Sequence, residues 1–299
     1  MNLREFCIKD KALFERYLGL YKHELSVYSF ANIYIWKRLF QINWAVIDGC
    51  LCVFFRDKIG AFLYLGPLGK NISRTTLDKA FQIMDGFNKN KEISRIENVE
   101  ARDIPFYQGL GYVCKEKSSD YLCLRSELAG LLGNKFKSKR ACFNYFTKYY
   151  THEYLPFSIK HKGACLKLYD SWMKERRAQN QDPIYRGMLE DSLQSLKAAL
   201  DNYKNLGFIG SVVRIKKEIK AFTFGFKLNK EAFCILYEIA DLSIKGLAQF
   251  IFAEFCRELK EYKYINIMDD SGLENLKKVK LSYQPVKLIP AYIATRRDA

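Results

Sequence analysis

The chain has 299 residues and a formal net charge of +16, because 49 Lys and Arg residues outnumber 33 Asp and Glu residues. Hydrophobic residues make up 49% of the sequence and aromatic residues 15%. This composition excludes disordered and collagen-like proteins and predicts one large or two medium-sized globular domains. The positive charge predicts attraction to polyanions such as nucleic acid, nucleotide cofactors and anionic lipid surfaces.

The apolar segments are too short for a membrane-spanning helix. The longest ones, such as residues 247–255, are interrupted by Gln or Glu well before the roughly 18 residues that a span needs. The first ten residues carry Glu5 and Asp10 and lack the apolar region of a secretory signal. Nine cysteines are scattered without a C-x-x-C pair, as in reduced core thiols. We therefore expect a cytoplasmic protein without a transmembrane segment.

Histidine is rare in this sequence. The three residues His23, His152 and His161 have no metal-ligand spacing. The sequence therefore predicts no metal site and disfavours Ser/His/Asp catalysis.

The first half of the chain combines predicted helices and strands. Residue spacing first predicts two helices over 11–23 and 30–40 and three strands over 44–47, 51–55 and 61–65. A helix over 73–88, a strand over 95–99 and a helical turn over 104–112 follow, and two more strands end near residue 124. The Asp48-Gly49 pair between the first two of these strands is a strong hairpin signal.

The second half repeats this order of elements. Two helices are predicted over 165–177 and 189–200, followed by three strands over 208–215, 219–227 and 232–239. A helix over 247–261, a strand over 264–267, a helix over 273–280 and closing strands over 285–293 complete the order. The repeated order predicts an internal duplication of one mixed α+β module. We expect a first domain over residues 1–127, a basic bridging helix over 128–150 and a second domain over 151–299.

Several short motifs carry a resemblance to a known family. They include Phe106-Tyr107-Gln108-Gly109-Leu110-Gly111-Tyr112, the spaced set Leu131, Gly133, Lys135, Phe136, Lys139 and Arg140, and the spaced set Asp269, Asp270, Gly272, Leu273, Leu276, Lys280, Ser282, Tyr283 and Pro285. With these motifs the whole chain resembles the soluble tandem-GNAT family related to the C-terminal domain of phosphatidylglycerol lysyltransferase, with distant kinship to Fem-type aminoacyltransferases. The resemblance implies two tandem GNAT (acyl-CoA N-acyltransferase-like) domains, each a mixed, mostly antiparallel sheet flanked by helices. It places the active cleft in the second domain.

The resemblance also implies a donor site at a helix N-terminus. In GNAT folds the helix after a splayed strand points its free N–H groups into the gap, where they hold a pyrophosphate. Here the residues at that helix start are Ser243, Lys245, Gly246 and Ala248, which we expect to bind the phosphates of coenzyme A or another donor. The alternative is an ordinary helix start capped by Asp241 or Ser243.

Transfer to an amine requires a base and a group that protonates the leaving atom. Glu238 near the end of the splayed strand and Asp241 just after it are the candidate bases, and Tyr283 is the candidate acid. The alternatives are that Asp241 caps a helix, that Glu238 pairs with a lysine and that Tyr283 packs in the core.

Two polar segments are candidate substrate sites. One is the turn containing Asn266, Asp269, Asp270 and Gly272, and the other is the basic segment containing Lys135, Lys139 and Arg140, which would steer an anionic donor. The alternatives are an ordinary helix start and a solvated helix face. The sequence departs from the family pattern at Ile239, Ile267 and Met268, which replace residues that are often charged.

These observations predict a transferase that moves an acyl or aminoacyl group to an amine or hydroxyl acceptor. Its anionic donor is either aminoacyl-tRNA or an acyl-coenzyme A thioester, and a peripheral contact with anionic lipid is compatible with the charge. Because three often-charged positions are apolar, the alternative is a catalytically inactive tandem-GNAT protein that binds a polyanion or another partner.

Overall fold

A computed structural model describes residues 3–297, which form two compact units. Unit 1 runs to Asp120 and also includes the residues from Ile289 onward, whereas unit 2 is Tyr121–Leu288. The expected domain boundaries after residues 127 and 150 both lie inside unit 2. The last strand returns to unit 1, and this long-range connection has no local signature in the sequence.

Unit 1 is an α+β unit. Its helices are α1 Lys11–Leu18, α2 Phe30–Ile35, α3 Arg74–Phe87 and α4 Ile104–Gly109. Its strands are β1 Arg4–Glu5, β2 Gln41–Ile47, β3 Cys50–Arg56, β4 Ala61–Leu63 and β5 Ile96–Glu100, and β6 Tyr112–Leu124 begins in unit 1 and ends in unit 2. Asp48 and Gly49 both have positive φ angles, 49° and 80°, so the predicted tight hairpin between β2 and β3 is confirmed.

Unit 2 has the same mixture of helices and strands. Its helices are α5 Arg125–Gly130, α6 Lys137–Tyr149, α7 Lys162–Gln179, α8 Pro183–Asp201, α9 Leu247–Glu258 and α10 Glu274–Leu281. Its strands are β7 Glu153–Pro156, β8 Ile209–Ile215, β9 Glu218–Lys227, β10 Ala232–Ala240 and β11 Tyr264–Asn266, and β12 Lys287–Arg296 leads back into unit 1.

Each unit is built on an ordered run of strands. In unit 1 the order is β1-β2-β3-β4-β5-β12, and in unit 2 it is β6-β11-β10-β9-β8-β7. The strand pairings that the structure describes in these runs are antiparallel except for β4 with β5 and β10 with β11, which are parallel. Both units are therefore mixed and mostly antiparallel, as the family resemblance implies.

The expected single helix over 128–150 is wrong. The chain breaks it into α5 and α6 at a turn where Leu131 and Gly133 have φ angles of 49° and 79°. Helix α6 then packs on α9 within unit 2, with the ring centroid of Phe250 4.7 Å from that of Phe146. The basic segment is therefore part of the unit 2 core packing.

The close approach of α6 to α9 depends on Gly246. This residue has a φ angle of 85°, and a Cβ atom added to it would lie 2.1 Å from the carbonyl oxygen of Cys142 on α6. Any other residue here would be strained by the left-handed backbone conformation, and its Cβ atom would clash with a backbone carbonyl of α6.

We expect Gly246→Ala to lower the free energy of unfolding by about 2–5 kcal/mol, because backbone strain and overpacking add. The matched control is Gly207→Ala, since Gly207 also has a positive φ of 70° but no atom within 4 Å of an added Cβ. Urea denaturation of both variants measures the difference. Equal losses would contradict the role of the α6 contact.

Candidate functional site

The sheet of unit 2 opens along β10. This strand pairs with β11 only from Ala232 to Cys234, whereas its pairing with β9 continues to Ala240. A register shift between Ile235 and Tyr237 marks the point where the two sides diverge. Beyond Cys234, the β11-facing edge of β10 therefore has no strand partner in the part of the chain that the structure describes. This is the splayed strand that the resemblance implies.

Glu238 lies on this opened part of β10 and is half-buried. Burial raises the pKa of its carboxyl to about 8, although Lys280 and Lys139 favour the charged form and oppose the shift. Among residues 3–297 no cation lies within ion-pair distance of Glu238. Near neutral pH most of this carboxyl group is therefore protonated, and its ionised form is a stronger base than an ordinary carboxylate.

Lys139 is the basic neighbour that reaches this site from α6. Its ammonium group donates a hydrogen bond to the Ser282 hydroxyl at 2.6 Å and lies 4.3 Å from the ring centroid of Tyr283. Burial lowers the pKa of Lys139, and its neighbours Cys142 and Glu238 partly oppose that shift. The ammonium group is thus already held by a hydroxyl and an aromatic face, and it approaches Glu238 without pairing with it.

Tyr283 completes the group around Glu238. Only 8% of this residue is exposed, and its ring packs 4.5 Å from the ring centroid of Phe252 on α9. Burial, followed by the charge of Glu238, raises the pKa of Tyr283 well above its ordinary value. Its hydroxyl has no hydrogen-bond partner among the described residues. The phenol therefore stays protonated and is free to donate to a ligand.

Lys280 connects this group to the loop after β11. Its ammonium group donates to the carbonyl oxygens of Ile267 and Asp269 and lies 5.9 Å from the ring centroid of Tyr121. The sequence reasoning missed Lys280 and Ser282 as site residues, although both lie in the motif that carries the resemblance. Lys280 acts on Glu238 and Ser282 holds Lys139 near it because of how α10 and the residue after it pack, which local spacing does not reveal.

The predicted polar turn is held mainly by its own side chains. The Asn266 side-chain oxygen accepts a hydrogen bond from the Met268 backbone at 2.7 Å. Asp270 accepts from the Tyr121 hydroxyl and from the backbone N–H of Gly272 at 2.9 Å. The half-buried Asp269 is 3.5 Å from the Ser271 hydroxyl. These contacts stabilise the turn, and substrate binding by Asn266, Asp269, Asp270 and Gly272 stays a prediction.

The turn between β10 and α9 is also internally bonded. Asp241 accepts hydrogen bonds from the Ser243 backbone and hydroxyl at 3.0 and 2.6 Å and pairs with Lys220 at 3.2 Å. Although burial opposes the change, these bonds lower the pKa of Asp241. Asp241 therefore stabilises the turn before α9 and does not cap the helix itself, whose N-cap is Gly246, and Glu238 is left as the stronger base.

The predicted donor site at the start of α9 is partly covered. Gly246 faces the Cys142 carbonyl of α6, so this contact accounts for the glycine without a phosphate. Lys245 is exposed and lies 4.5 Å from the ring centroid of Tyr145, and Ala248 is half-buried. Phosphate binding by these residues and Ser243 stays a prediction.

The three predicted basic residues have different partners. Lys135 pairs with Glu127 at 2.7 Å, and Arg140 donates to the carbonyl oxygens of Leu131 and Gly133 at the end of α5. Only Lys139 of the three is placed beside Glu238. Within residues 3–297 no cluster of metal-ligating side chains occurs and no helix is long and apolar enough to cross a membrane.

Comparisons with known proteins agree with this architecture. The family model described as "Phosphatidylglycerol lysyltransferase, C-terminal" matches residues 18–295. No curated protein matches the chain. A crystal structure of a conserved protein of unknown function from Bacteroides thetaiotaomicron VPI-5482 is 29% identical, with a TM-score of 0.88 and coverage of 99% of this chain and 100% of the other.

Two more distant structures identify the fold. L-PGS from Bacillus licheniformis is 16% identical, with a TM-score of 0.65 and coverage of 99% of this chain and 94% of the other. FemX is 10% identical, with a TM-score of 0.60 and coverage of 98% and 97%. At such low identities these likenesses show the fold alone. With the strand order, they confirm the expected mixed α/β fold of the tandem GNAT-like and Fem type.

The raised pKa of Glu238 has a consequence for stability. The folded state holds its proton up to about pH 8, whereas the ordinary value is 4.5. The contribution of the protonated Glu238 carboxyl to the free energy of unfolding is therefore present in full at pH 4 and is lost as the pH rises through 8. We expect the wild type to lose about 2–4 kcal/mol more than Glu238→Gln between pH 6 and pH 9.

Chemical denaturation at the two pH values measures this difference. The control is Glu274→Gln, which changes an exposed carboxyl on α10 and is expected to lose the same free energy as the wild type. If Glu238→Gln also followed the wild type, the carboxyl would not be buried as described.

Proposed function

Because the chain belongs to the family described as phosphatidylglycerol lysyltransferase, C-terminal, we propose that unit 2 transfers an acyl or aminoacyl group from an anionic donor to an amine or hydroxyl acceptor. The family and the fold point to an acyl- or aminoacyltransferase. The observation that carries the proposal is the half-buried carboxyl of Glu238 on the opened edge of β10, beside Lys139 and Tyr283.

In the proposed reaction, Glu238 accepts a proton from the acceptor while the acceptor's nitrogen or oxygen bonds to the carbonyl carbon of the donor. The bond from that carbon to the ester oxygen or thioester sulfur then breaks, and the leaving atom receives the proton held by Glu238, either directly or through Tyr283, so that both side chains return to their starting protonation states. A base with a pKa of about 8 suits this exchange near neutral pH. Lys139 and Tyr283 supply donors for the negative charge on the intermediate.

Aminoacyl-tRNA is the donor that we favour over coenzyme A. A pyrophosphate at the start of α9 needs access to the backbone, and the Cys142 carbonyl occupies the space next to Gly246. The net charge of +16 and the exposed lysines Lys137 and Lys148 of α6 support attraction to a polyanion. A cytoplasmic location and peripheral contact with anionic lipid complete the proposal.

We expect Glu238→Gln to reduce turnover at least 100-fold, the usual contribution of a general base. The assay incubates the full chain with labelled aminoacyl-tRNA or acetyl-coenzyme A and with acceptors that include amines and phosphatidylglycerol vesicles. In the wild type, kcat/KM rises with pH and levels off above about pH 8, because the base must be ionised.

The control for this test is Glu261→Gln, which removes an exposed carboxyl after α9 and should keep wild-type turnover. Turnover by Glu238→Gln at the wild-type rate would remove Glu238 from the mechanism. Absence of turnover in the wild type with every donor, together with tight tRNA binding, would instead support the inactive polyanion-binding alternative.

Tyr283→Phe is expected to lower kcat by about 100-fold with little change in KM, because it removes one donor to the developing charge. The thermal midpoint should stay close to that of the wild type, since the hydroxyl has no hydrogen-bond partner among the described residues. Steady-state kinetics and a melting curve on the same sample make the comparison. An unchanged kcat would leave Tyr283 as a packing residue.

A further inference from the structure

A cavity of about 300 Å³ lies within unit 1, and it contains none of the site residues discussed above. This volume is at the lower end of the range for small-molecule sites. The lining comes from the end of α1, the β2–β3 turn and the loop after β4, and consists of Arg16, Tyr17, Leu20, Asp48, Gly49, Cys50, Lys70 and Asn71. The loop contributes Lys70 and Asn71, which the proposed transfer reaction does not use.

Two cations line this cavity. Neither Arg16 nor Lys70 has an ion pair or a side-chain hydrogen bond within residues 3–297. The guanidinium of Arg16 lies 5.3 Å from the ring centroid of Tyr17, which restricts it to one side of the cavity. The Tyr17 hydroxyl is likewise without a partner in the described part of the chain. The side chains of Arg16, Lys70 and Tyr17 are therefore three hydrogen-bond donors in the lining that bind no other described residue through a hydrogen bond.

The acidic residue of the lining does not neutralise these cations. Asp48 pairs with Lys79 at 2.5 Å and accepts a hydrogen bond from the Thr76 hydroxyl at 3.3 Å. Its charge is thus balanced by α3. The positive charges of Arg16 and Lys70 remain available to an anion.

The floor of the cavity is rigid and unreactive. Cys50 is 1% exposed, and burial together with Asp48 raises the pKa of its thiol, so the thiol stays neutral. Gly69 fits directly over it, since an added Cβ would lie 2.4 Å from the Cys50 sulfur. Two backbone hydrogen bonds between Leu51 and Leu68, of 2.8 and 2.9 Å, fix the loop that carries Lys70.

We propose that this cavity binds a small organic phosphate monoester. Arg16 presents a planar pair of donors to phosphate oxygens, and Lys70 adds a second charge, so the two match a dianion better than a monocarboxylate. Leu20 and the ring of Tyr17 supply apolar surface for a small organic body. This site is independent of the proposed transfer reaction and assigns a ligand to unit 1.

Isothermal titration of the full chain with phenyl phosphate, benzoate and inorganic phosphate tests the proposal. We expect saturable binding of phenyl phosphate, with benzoate and inorganic phosphate each at least about tenfold weaker. Arg16→Gln and Lys70→Gln should each weaken phenyl phosphate binding about tenfold. Both side chains are exposed, and a melting curve verifies that each variant is folded.

The matched control is Lys58→Gln, which removes the same charge from an exposed turn of unit 1 outside the cavity. It should bind phenyl phosphate as the wild type does, and so should Glu238→Gln. No saturable binding, equal weakening by Lys58→Gln, or benzoate binding as tight as that of phenyl phosphate would overturn the proposal. Binding of inorganic phosphate as tight as that of phenyl phosphate would overturn the part of the proposal in which the cavity recognises the organic group of the ester.

Discussion

The short pairing of β10 with β11 is the constraint on which the arrangement of unit 2 depends. Because β11 accompanies β10 only as far as Cys234, the second half of β10 keeps its antiparallel bonds to β9 and exposes its other edge. A carboxyl on an ordinary interior strand would face a close neighbour. On this opened edge Glu238 lies in a desolvated environment with two lysines nearby, and no cation of residues 3–297 pairs with it.

Helix α6 closes the same region from one side, and Gly246 makes that closure possible. A glycine at a helix start has two common explanations, which are access for a phosphate and close approach of another backbone. The sequence cannot distinguish them, because both require the same missing side chain. The Cys142 carbonyl, which would lie 2.1 Å from an added Cβ, favours the second explanation here. The helix that covers Gly246 also carries Lys139 to Glu238.

Much of the fold follows from local pattern. The Asp48-Gly49 hairpin and the order of elements were predictable because they depend on turn chemistry and residue spacing, whereas the position of Glu238 near the end of a splayed strand was expected only from the family resemblance. The return of β12 to unit 1 was not predictable in this way, since it depends on pairing with β5, about 190 residues earlier in the chain. Arg140 shows the same limit, because a basic residue on a predicted helix gives no sign that it donates hydrogen bonds to the turn before that helix.

The apolar residues that replace charged ones near the site bear directly on whether catalysis is retained. Ile267 packs in the same buried cluster as Tyr283 and Phe252, whereas Ile239, the next residue after Glu238 on β10, is buried on the opposite face of that strand. Apolar neighbours reduce the solvation of a carboxylate and so raise its pKa. Both lysines near Glu238 are already committed, Lys139 to Ser282 and Lys280 to backbone carbonyls, so neither restores an ordinary pKa. A more apolar surrounding therefore makes Glu238 a stronger base, and the loss of charged neighbours is compatible with retained catalysis.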